Sequence, residues 1–228
     1  MDESGAKESI GSWLHDRALT LVLLVMFAFS LLGQFETGYR QYNANRVEHQ
    51  RPPVSMSAYA ASGHWWESVF ENWESEFLQM AVFILLTTTL VQKGSPESRR
   101  AHVKEAVDAD PRDFAAKPNA PWPVRRGGWV LTIYERSLGL AFLLLFGFSW
   151  IGHAFGGFAD YAESEPLHGG PPPSFMDYVT SSKFWFESFQ NWQSEFLSIA
   201  AMVWLAVYLR QRGSPESKPV HAAHADYD

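Results

Sequence analysis

The chain has 228 residues, enough for one large or two small domains. Its formal net charge of -7 leaves no basic footprint for nucleic acid, and the absence of cysteine excludes disulfides, thiolate metal ligands and cysteine nucleophiles. Ten Trp and an aromatic content of 15%, against 19% charged residues, indicate instead a bilayer environment.

Four apolar runs are spaced along the chain. A membrane-spanning helix needs about 20 residues, and each run reaches that length only when it is extended into more polar sequence at its outer end. Buried helices of a soluble protein are the alternative, but flanking Trp and Tyr residues favour bilayer interfaces. We therefore predict an all-α fold with four transmembrane helices, centred on residues 18–33, 77–91, 138–152 and 196–209.

The chain repeats itself. A shift of 119 residues aligns residues 17–99 with residues 136–218 without a gap. The pattern Asn-Trp-x-Ser-Glu-Phe-Leu occurs at 72–78 and 191–197, and Gly-Ser-Pro-Glu-Ser occurs at 94–98 and 213–217. Self-similarity of this length is the sequence signature of a repeat architecture. We predict two tandem helical hairpins, related as parallel repeats.

The distribution of basic residues predicts the orientation. Lys and Arg are concentrated in the linker between the repeats and after the last apolar run, and are fewer in the two outer loops, so both termini should be cytoplasmic. The linker mixes charges, Ala and Pro, and we expect it to be mostly extended or disordered, with at most a short helix near residues 102–107. The predicted segments are a cytoplasmic N-terminus (1–16), repeat 1 (17–93), a cytoplasmic linker (94–128), repeat 2 (129–212) and a cytoplasmic tail (213–228).

Each outer loop carries Pro-Pro-x-Ser followed by aromatic residues. Trp66, Phe70, Trp73 and Phe77 recur at i, i+4, i+7 and i+11, which is helical spacing. We predict an outer interfacial amphipathic helix in each repeat, feeding into or continuing as the second spanning helix. Large aromatics at this depth anchor a protein in the headgroup region more often than they bind ligand.

Ionisable groups inside a span are costly and are candidates for function. Glu76 and Glu195 recur at equivalent places, about one turn inside the outer end of their helices. We predict an intramembrane polar cluster around them, made of Glu76, Glu195, Asn72, Asn191, Gln34 and His153. The two carboxyls could line a cation or proton path, or each could lock its own hairpin through hydrogen bonds, which is the commoner role.

A second acidic pattern belongs to repeat 1 alone. His64, Glu67, Glu71 and Glu74 share one helix face at i, i+3, i+7 and i+10, and such a set could hold a divalent cation. A solvated acidic face is the commoner explanation of this spacing. At the aligned positions, repeat 2 has Lys183, Phe186, Gln190 and Gln193.

No nucleophile elbow, phosphate-binding loop, HExxH or paired-cysteine motif is present, so we expect no enzyme activity and no cofactor. The expected partners are the lipid bilayer and a further copy of the chain or another membrane protein, without nucleic acid. A structural or accessory role is our first expectation. A small cation or proton transporter or channel using Glu76 and Glu195 is the alternative.

Several motifs together resemble a known family. They are Gly-His-Trp-Trp-Glu at 63–67, Glu-Asn-Trp-Glu-Ser-Glu-Phe-Leu-Gln-Met at 71–80 and Gln-Lys-Gly-Ser-Pro-Glu-Ser at 92–98. The chain resembles an uncharacterised family of bacterial integral membrane proteins, a domain of unknown function with tandem two-helix repeats. The resemblance implies a bacterial membrane protein. Together with the four predicted spans, we expect a multi-pass protein of the cell inner membrane. The resemblance supplies no activity and no site residues.

Overall fold

The computed structural model describes residues 10–100, 103–168 and 171–224, and these residues form helices without any β-strand. Residues 1–9 of the predicted cytoplasmic N-terminus lie outside the described part. The all-α prediction is confirmed. In chain order the helices are α1 (Ile10–Asp16), α2 (Ala18–Glu48), α3 (Met56–Ala60), α4 (Gly63–Thr87), α5 (Trp122–Arg126), α6 (Gly128–Tyr134), α7 (Ser137–Ser164), α8 (Phe175–Val179) and α9 (Ser182–Tyr208).

The chain divides into two compact units, residues 1–65 and residues 66–228. In the first unit, α2 and the loop after it pack around the buried ring of Tyr59. Asn43 accepts a hydrogen bond from the Val54 backbone N–H at 2.7 Å and donates to the Val54 carbonyl at 3.2 Å, which fixes the return of the chain. The rings of Phe35 and Tyr42 lie 5.3 and 5.5 Å from Tyr59.

Serine side chains start the helices that follow the outer loops. The Pro-Pro-x-Ser pattern places Ser55 and Ser174 at the N-caps of α3 and α8, where their oxygens accept backbone N–H groups that the helix leaves unpaired. Ser181 caps α9 in the same way. The predicted interfacial helix is therefore only five residues long in each half, and most of the aromatic stretch lies within the continuous helices α4 and α9.

Two of the described helices, α2 and α7, are long and apolar enough to cross a membrane, where we expected four. Helices α4 and α9 do not qualify because polar and charged residues occupy their first halves. Helix α4 also ends at Thr87, short of the predicted Val91. The hydroxyls of Thr87 and Thr88 donate to carbonyls three residues earlier, at 3.0 and 2.7 Å, and such bonds compete with helix continuation.

The linker is more ordered than expected. Short 3₁₀ turns at Ala106–Asp108 and Pro111–Phe114 precede α5. Arg99 pairs with Asp108, and Val124 packs with Leu131 in a small apolar cluster. The ion pair and the apolar cluster offset the conformational entropy that the linker loses when it is ordered. Composition alone did not predict this order.

The Gly-Ser-Pro-Glu-Ser motifs form turns rather than helix caps. Gly94 and Gly213 both have φ of 87°, the left-handed value expected for a glycine cap. They lie several residues after the ends of α4 and α9, however. The Ser95 N–H donates to the Gln92 carbonyl at 3.1 Å, so each glycine occupies the third position of a four-residue turn that requires positive φ.

Candidate functional site

Glycines on α7 allow a close approach of α4. A Cβ added at Gly156 would lie 2.7 Å from the backbone nitrogen of Glu67, and one added at Gly152 would lie 2.5 Å from the Phe70 ring. Small residues at i and i+4 are the usual means by which apolar helices pack at short distance. Because of this close packing, the acidic face of α4 lies near α7 and α9.

At the centre of the second unit lies a buried carboxylate–imidazole pair. The Oε2 atom of Glu74 is 3.0 Å from His153 Nδ1, and both side chains are fully buried. The other oxygen of Glu74 accepts hydrogen bonds from the Ser188 hydroxyl at 3.0 Å and from Trp192 Nε1 at 3.3 Å. A buried carboxylate requires hydrogen-bond partners for both of its oxygens, because removing the charge from water is costly.

A second group of charges lies nearby. The Lys183 ammonium is 2.9 Å from Glu67 Oε1 and 2.8 Å from Glu187 Oε1. The Tyr178 hydroxyl lies 3.4 Å from both carboxylates. The three charged side chains are 10–36% exposed, so the ion pairs are only partly reached by solvent.

Burial and charge shift the titration of this group. Burial raises the pKa of the Glu67 carboxyl to about 7, Asp160 acts in the same direction, and Lys183 opposes both. Burial would also raise the pKa of Glu187, but His153 and Lys183 more than offset it and the net pKa lies below the ordinary value. The Glu67 carboxyl therefore takes up a proton at higher pH than an exposed glutamate does, and the Glu187 carboxyl at lower pH.

One atom of the cluster has no hydrogen-bond partner. His153 Nε2 is buried and lies 3.7 Å from Glu187 Oε2, beyond hydrogen-bonding distance. Ligand atoms of Glu67, His153 and Glu187 all lie within 4.8 Å of one another. One imidazole nitrogen and two carboxylates at this spacing could hold a metal ion.

The structure brings some of the predicted residues of the polar cluster together and not others. Glu76, exposed on α4, lies close enough to Glu195, half-buried on α9, for the two carboxylates to repel each other. Asn72 is exposed and donates to the Ser68 carbonyl of its own helix. Gln34 is half-buried on α2 in the first unit.

His153 and Asn191 contact other carboxylates than those expected. His153 contacts Glu74. Asn191 donates to Glu71 Oε1 at 2.6 Å.

The acidic face of α4 is not solvated. Glu67 and Glu74 are 7% and 0% exposed, and Glu71 is half-buried. The commoner explanation considered for this spacing is therefore wrong for Glu67 and Glu74. His64, the fourth candidate, lies in the first unit beside Tyr59, whose hydroxyl is 3.4 Å from its Nδ1.

Sequence reasoning did not identify the residues of repeat 2 that complete the cluster, namely Tyr178, Lys183, Glu187, Ser188 and Trp192. A usable signal was present. Lys183 stands where repeat 1 has His64, and it precedes Glu187 by four residues on the same helix face. The positively charged Lys183 side chain, on a different helix from the acidic face of α4, was therefore a candidate partner for that face.

A model of a protein family, described as a domain of unknown function, matches residues 10–228. No curated protein and no solved structure matches the chain. The family match spans both compact units and assigns no activity to either, so any function has to be argued from the geometry above.

Proposed function

The chain belongs to the DUF6766 family, a domain of unknown function, and from that premise we propose that it is a multi-pass integral membrane protein of structural or accessory type. We propose no enzymatic activity. The buried charges pair with one another and with hydrogen-bonding side chains, as in a cluster that holds helices together.

One observation carries the proposal, the inverted polarity of α7. Large apolar side chains on its outer faces are exposed, for example Leu144 (74%), Phe148 (61%) and Phe155 (61%), whereas His153 on the inner face is fully buried. In water, an apolar surface of this kind invites association. In lipid it is the expected arrangement, since ionisable residues of spanning helices face the interior of the bundle.

We extend the proposal to four spans arranged as two parallel repeats. The apolar second halves of α4 and α9 would enter the bilayer as the two further spans. In support, Gln79 Nε2 donates at 3.0 Å to the hydroxyl of Ser198, the residue that the 119-residue shift aligns with it. A contact between equivalent residues is expected where two parallel repeats meet near an axis along the membrane normal.

We also propose that both termini are cytoplasmic and that the membrane is the bacterial inner membrane. The partners would be lipid and a second copy of the chain or another membrane protein. Basic residues in the linker and tail support this orientation.

The cysteine-free chain allows a direct test by single-cysteine labelling. Ser57→Cys and Met176→Cys place a thiol in the two outer segments, and Ala109→Cys and Ala223→Cys place one in the linker and tail. All four sites are exposed. With four spans, a membrane-impermeant maleimide labels Ser57→Cys and Met176→Cys in intact cells. It labels the other two only after the cells are permeabilised.

Other labelling patterns would contradict parts of the proposal. If only α2 and α7 cross the bilayer, Ala109→Cys will be labelled in intact cells and Met176→Cys will not. If the chain is recovered in the soluble fraction after ultracentrifugation without detergent, the membrane assignment itself is wrong. The unmodified chain, which has no thiol, is the control for background labelling.

We do not extend the proposal to transport through Glu76 and Glu195. Glu76 is exposed, and Glu195 is half-buried. The charged pairs that are buried in the second unit involve Glu67 and Glu74 instead. Wild-type protein in liposomes should therefore show no cation or proton flux that is lost on changing Glu76 and Glu195 to Gln.

A further inference from the structure

We infer that Glu67, His153 and Glu187 form a binding site for a divalent transition-metal ion such as Zn²⁺. Their ligand atoms lie within 4.8 Å of one another in a part of the unit where two of the three residues are buried. This inference goes beyond the structural role proposed above. It does not depend on the number of spans, because all three residues belong to one compact unit.

The unpartnered nitrogen of His153 is the main argument. Its side chain is fully buried, and Nε2 makes no hydrogen bond. Buried polar atoms in folded proteins nearly always have a partner, so an orphan needs an explanation. A buried nitrogen that lies 3.7 Å from a carboxylate oxygen without hydrogen-bonding it is placed as a metal ligand would be.

The other ring nitrogen strengthens the argument. His153 Nδ1 lies 3.0 Å from Glu74 Oε2. A metal-binding histidine usually donates its second N–H to a carboxylate, which fixes the tautomer and orients the ring. Glu74 is itself held by Ser188 and Trp192, so the imidazole is oriented by a rigid, buried support.

The charge balance also favours a bound cation. The carboxylates of Glu71, Glu74 and Glu187 act on the imidazole, and Glu67 lies within 4.8 Å of it. The Lys183 ammonium contacts Glu67 and Glu187, and a metal ion at His153 Nε2 would replace the proton that a charged imidazole carries there. Lys183 contacts the Oε1 atoms of Glu67 and Glu187, whereas Glu187 Oε2 is the oxygen that faces His153. A dication can therefore bind on the imidazole side while the ammonium stays on the far side.

The distances suit a small ion. His153 Nε2 and Glu187 Oε2 are 3.7 Å apart. Two ligands of a tetrahedral zinc ion are about 3.3 Å apart, whereas the three ligand atoms lie within 4.8 Å of one another, so an inward movement of up to about 1.5 Å brings three protein ligands onto one ion. Imidazole together with carboxylates selects Zn²⁺, Fe²⁺ or Mn²⁺ over Mg²⁺ and Ca²⁺, which prefer oxygen ligands only.

The first experiment measures binding of Zn²⁺ itself to the purified full chain after treatment with a chelator. His221 and His224 in the tail could bind zinc adventitiously, so the reference protein carries His221→Gln and His224→Gln. We expect this reference to bind one Zn²⁺ per chain by calorimetry and by elemental analysis, and to show no binding of Mg²⁺. If it retains no zinc, the inference is wrong.

The second experiment changes the ligands in that reference background. His153→Gln introduces the residue found at the aligned position 34, so its size and polarity suit the packing of such a helix. We expect zinc affinity to fall at least about tenfold, as for loss of a ligand or its support. His64→Gln, which changes a histidine of the first unit, is the matched control and should bind zinc like the reference.

Lys183→Met distinguishes a metal site from an ion-pair cluster. Without the ammonium, the carboxylates repel one another, so the protein should lose thermal stability. With a metal site present, Zn²⁺ should restore that stability and bind at least as tightly as before, because a competing cation is gone. Loss of stability without rescue by Zn²⁺ would overturn the inference.

A spectroscopic measurement covers the case in which His153→Gln does not fold. Co²⁺ bound to the reference protein should give the intense visible bands of a four-coordinate nitrogen and oxygen site, and added Zn²⁺ should abolish them. Absence of these bands would overturn the inference. So would zinc binding by a folded His153→Gln variant that is as tight as that of the reference.

Discussion

Two buried tyrosines, one in each unit, make the most instructive comparison in the molecule. Tyr59 and Tyr178 stand at positions that the 119-residue shift aligns, and each is at most 1% exposed. Each places its hydroxyl against a glycine of the long helix before it, Gly38 in one case and Gly157 in the other. The backbone frame around the two rings is therefore the same.

The partners of the two hydroxyls differ. The Tyr59 hydroxyl faces the imidazole of His64 at 3.4 Å, within a cluster of aromatic rings. The Tyr178 hydroxyl faces the carboxylates of Glu67 and Glu187. Both rings lie among other aromatic rings, so a few substitutions decide only whether the hydroxyl faces an imidazole or carboxylates. Any specific chemistry is therefore expected in the second unit.

The largest predicted effect follows from removing the carboxylate of Glu74, which is fully buried in the second unit. Glu74→Ala leaves His153, Ser188 and Trp192 without their common acceptor. Breaking a buried pair in this way costs about 3–5 kcal/mol, so the unfolding midpoint should fall by roughly 6–20 °C. Gln193→Ala, at the aligned and exposed position, should change the midpoint little. If Glu74→Ala and Gln193→Ala lower the thermal unfolding midpoint equally, the buried carboxylate of repeat 1 has no special role in stability.

A smaller loss is expected from filling the close contact between α4 and α7. In Gly156→Ala, the new Cβ lies 2.7 Å from the Glu67 backbone nitrogen, so the two helices must separate. Overpacking of this kind costs about 1–3 kcal/mol and should also weaken zinc binding, because Glu67 is one of the proposed ligands. Gly147→Ala, in the same helix with no atom near the added Cβ, is the control. It should unfold no earlier than wild type.

The tyrosines themselves allow a finer test. Tyr178→Phe removes a hydroxyl that faces two carboxylates, and Tyr59→Phe removes one that faces the imidazole of His64. We expect Tyr178→Phe to cost about 1 kcal/mol and Tyr59→Phe less, because hydrogen bonds to charged groups are stronger than neutral ones. Chemical denaturation of both variants measures the difference. A larger loss of stability in Tyr59→Phe than in Tyr178→Phe would contradict the stronger hydrogen bonding that we assign to Tyr178.

The smallest effect concerns the aligned residues Glu97 and Glu216. Burial and the neighbouring Glu216 raise the pKa of Glu97 from the ordinary 4.5 to about 7. The folded state then binds the proton more tightly than the unfolded chain, so this group stabilises less as pH rises from about 4.5 to 7. Glu216→Gln should raise the unfolding midpoint by roughly 1–3 °C at pH 8 and leave it unchanged at pH 4.5. An equal change at both pH values would exclude this cause, and Glu48→Gln is the exposed control.

Helical spacing and turn chemistry made much of the fold predictable. Apolar runs identified the long helices, and Pro-Pro-x-Ser marked the helix starts at Ser55 and Ser174. These features depend on neighbours in sequence, so local rules reach them.

The partner of His153 was not predictable in the same way. Glu74 and Glu76 are two residues apart, which places them about 200° apart around a helix. Only the rotation of α4 against α7, set by Gly152 and Gly156, decides which of them meets the imidazole. Sequence periodicity gives the faces of each helix but not the pairing of faces between helices. For the same reason, the burial of the acidic face was missed.

The pairing of Glu74 with His153 also makes the two halves of the chain mutually dependent. A dimer made from two first halves would have Gln34 in place of the imidazole, and a dimer of two second halves would have Gln193 in place of the carboxylate. Neither symmetrical assembly could form this pair. The halves have specialised in complementary ways, so each should be unstable when it is synthesised alone, and joint synthesis of both fragments should restore the native protein.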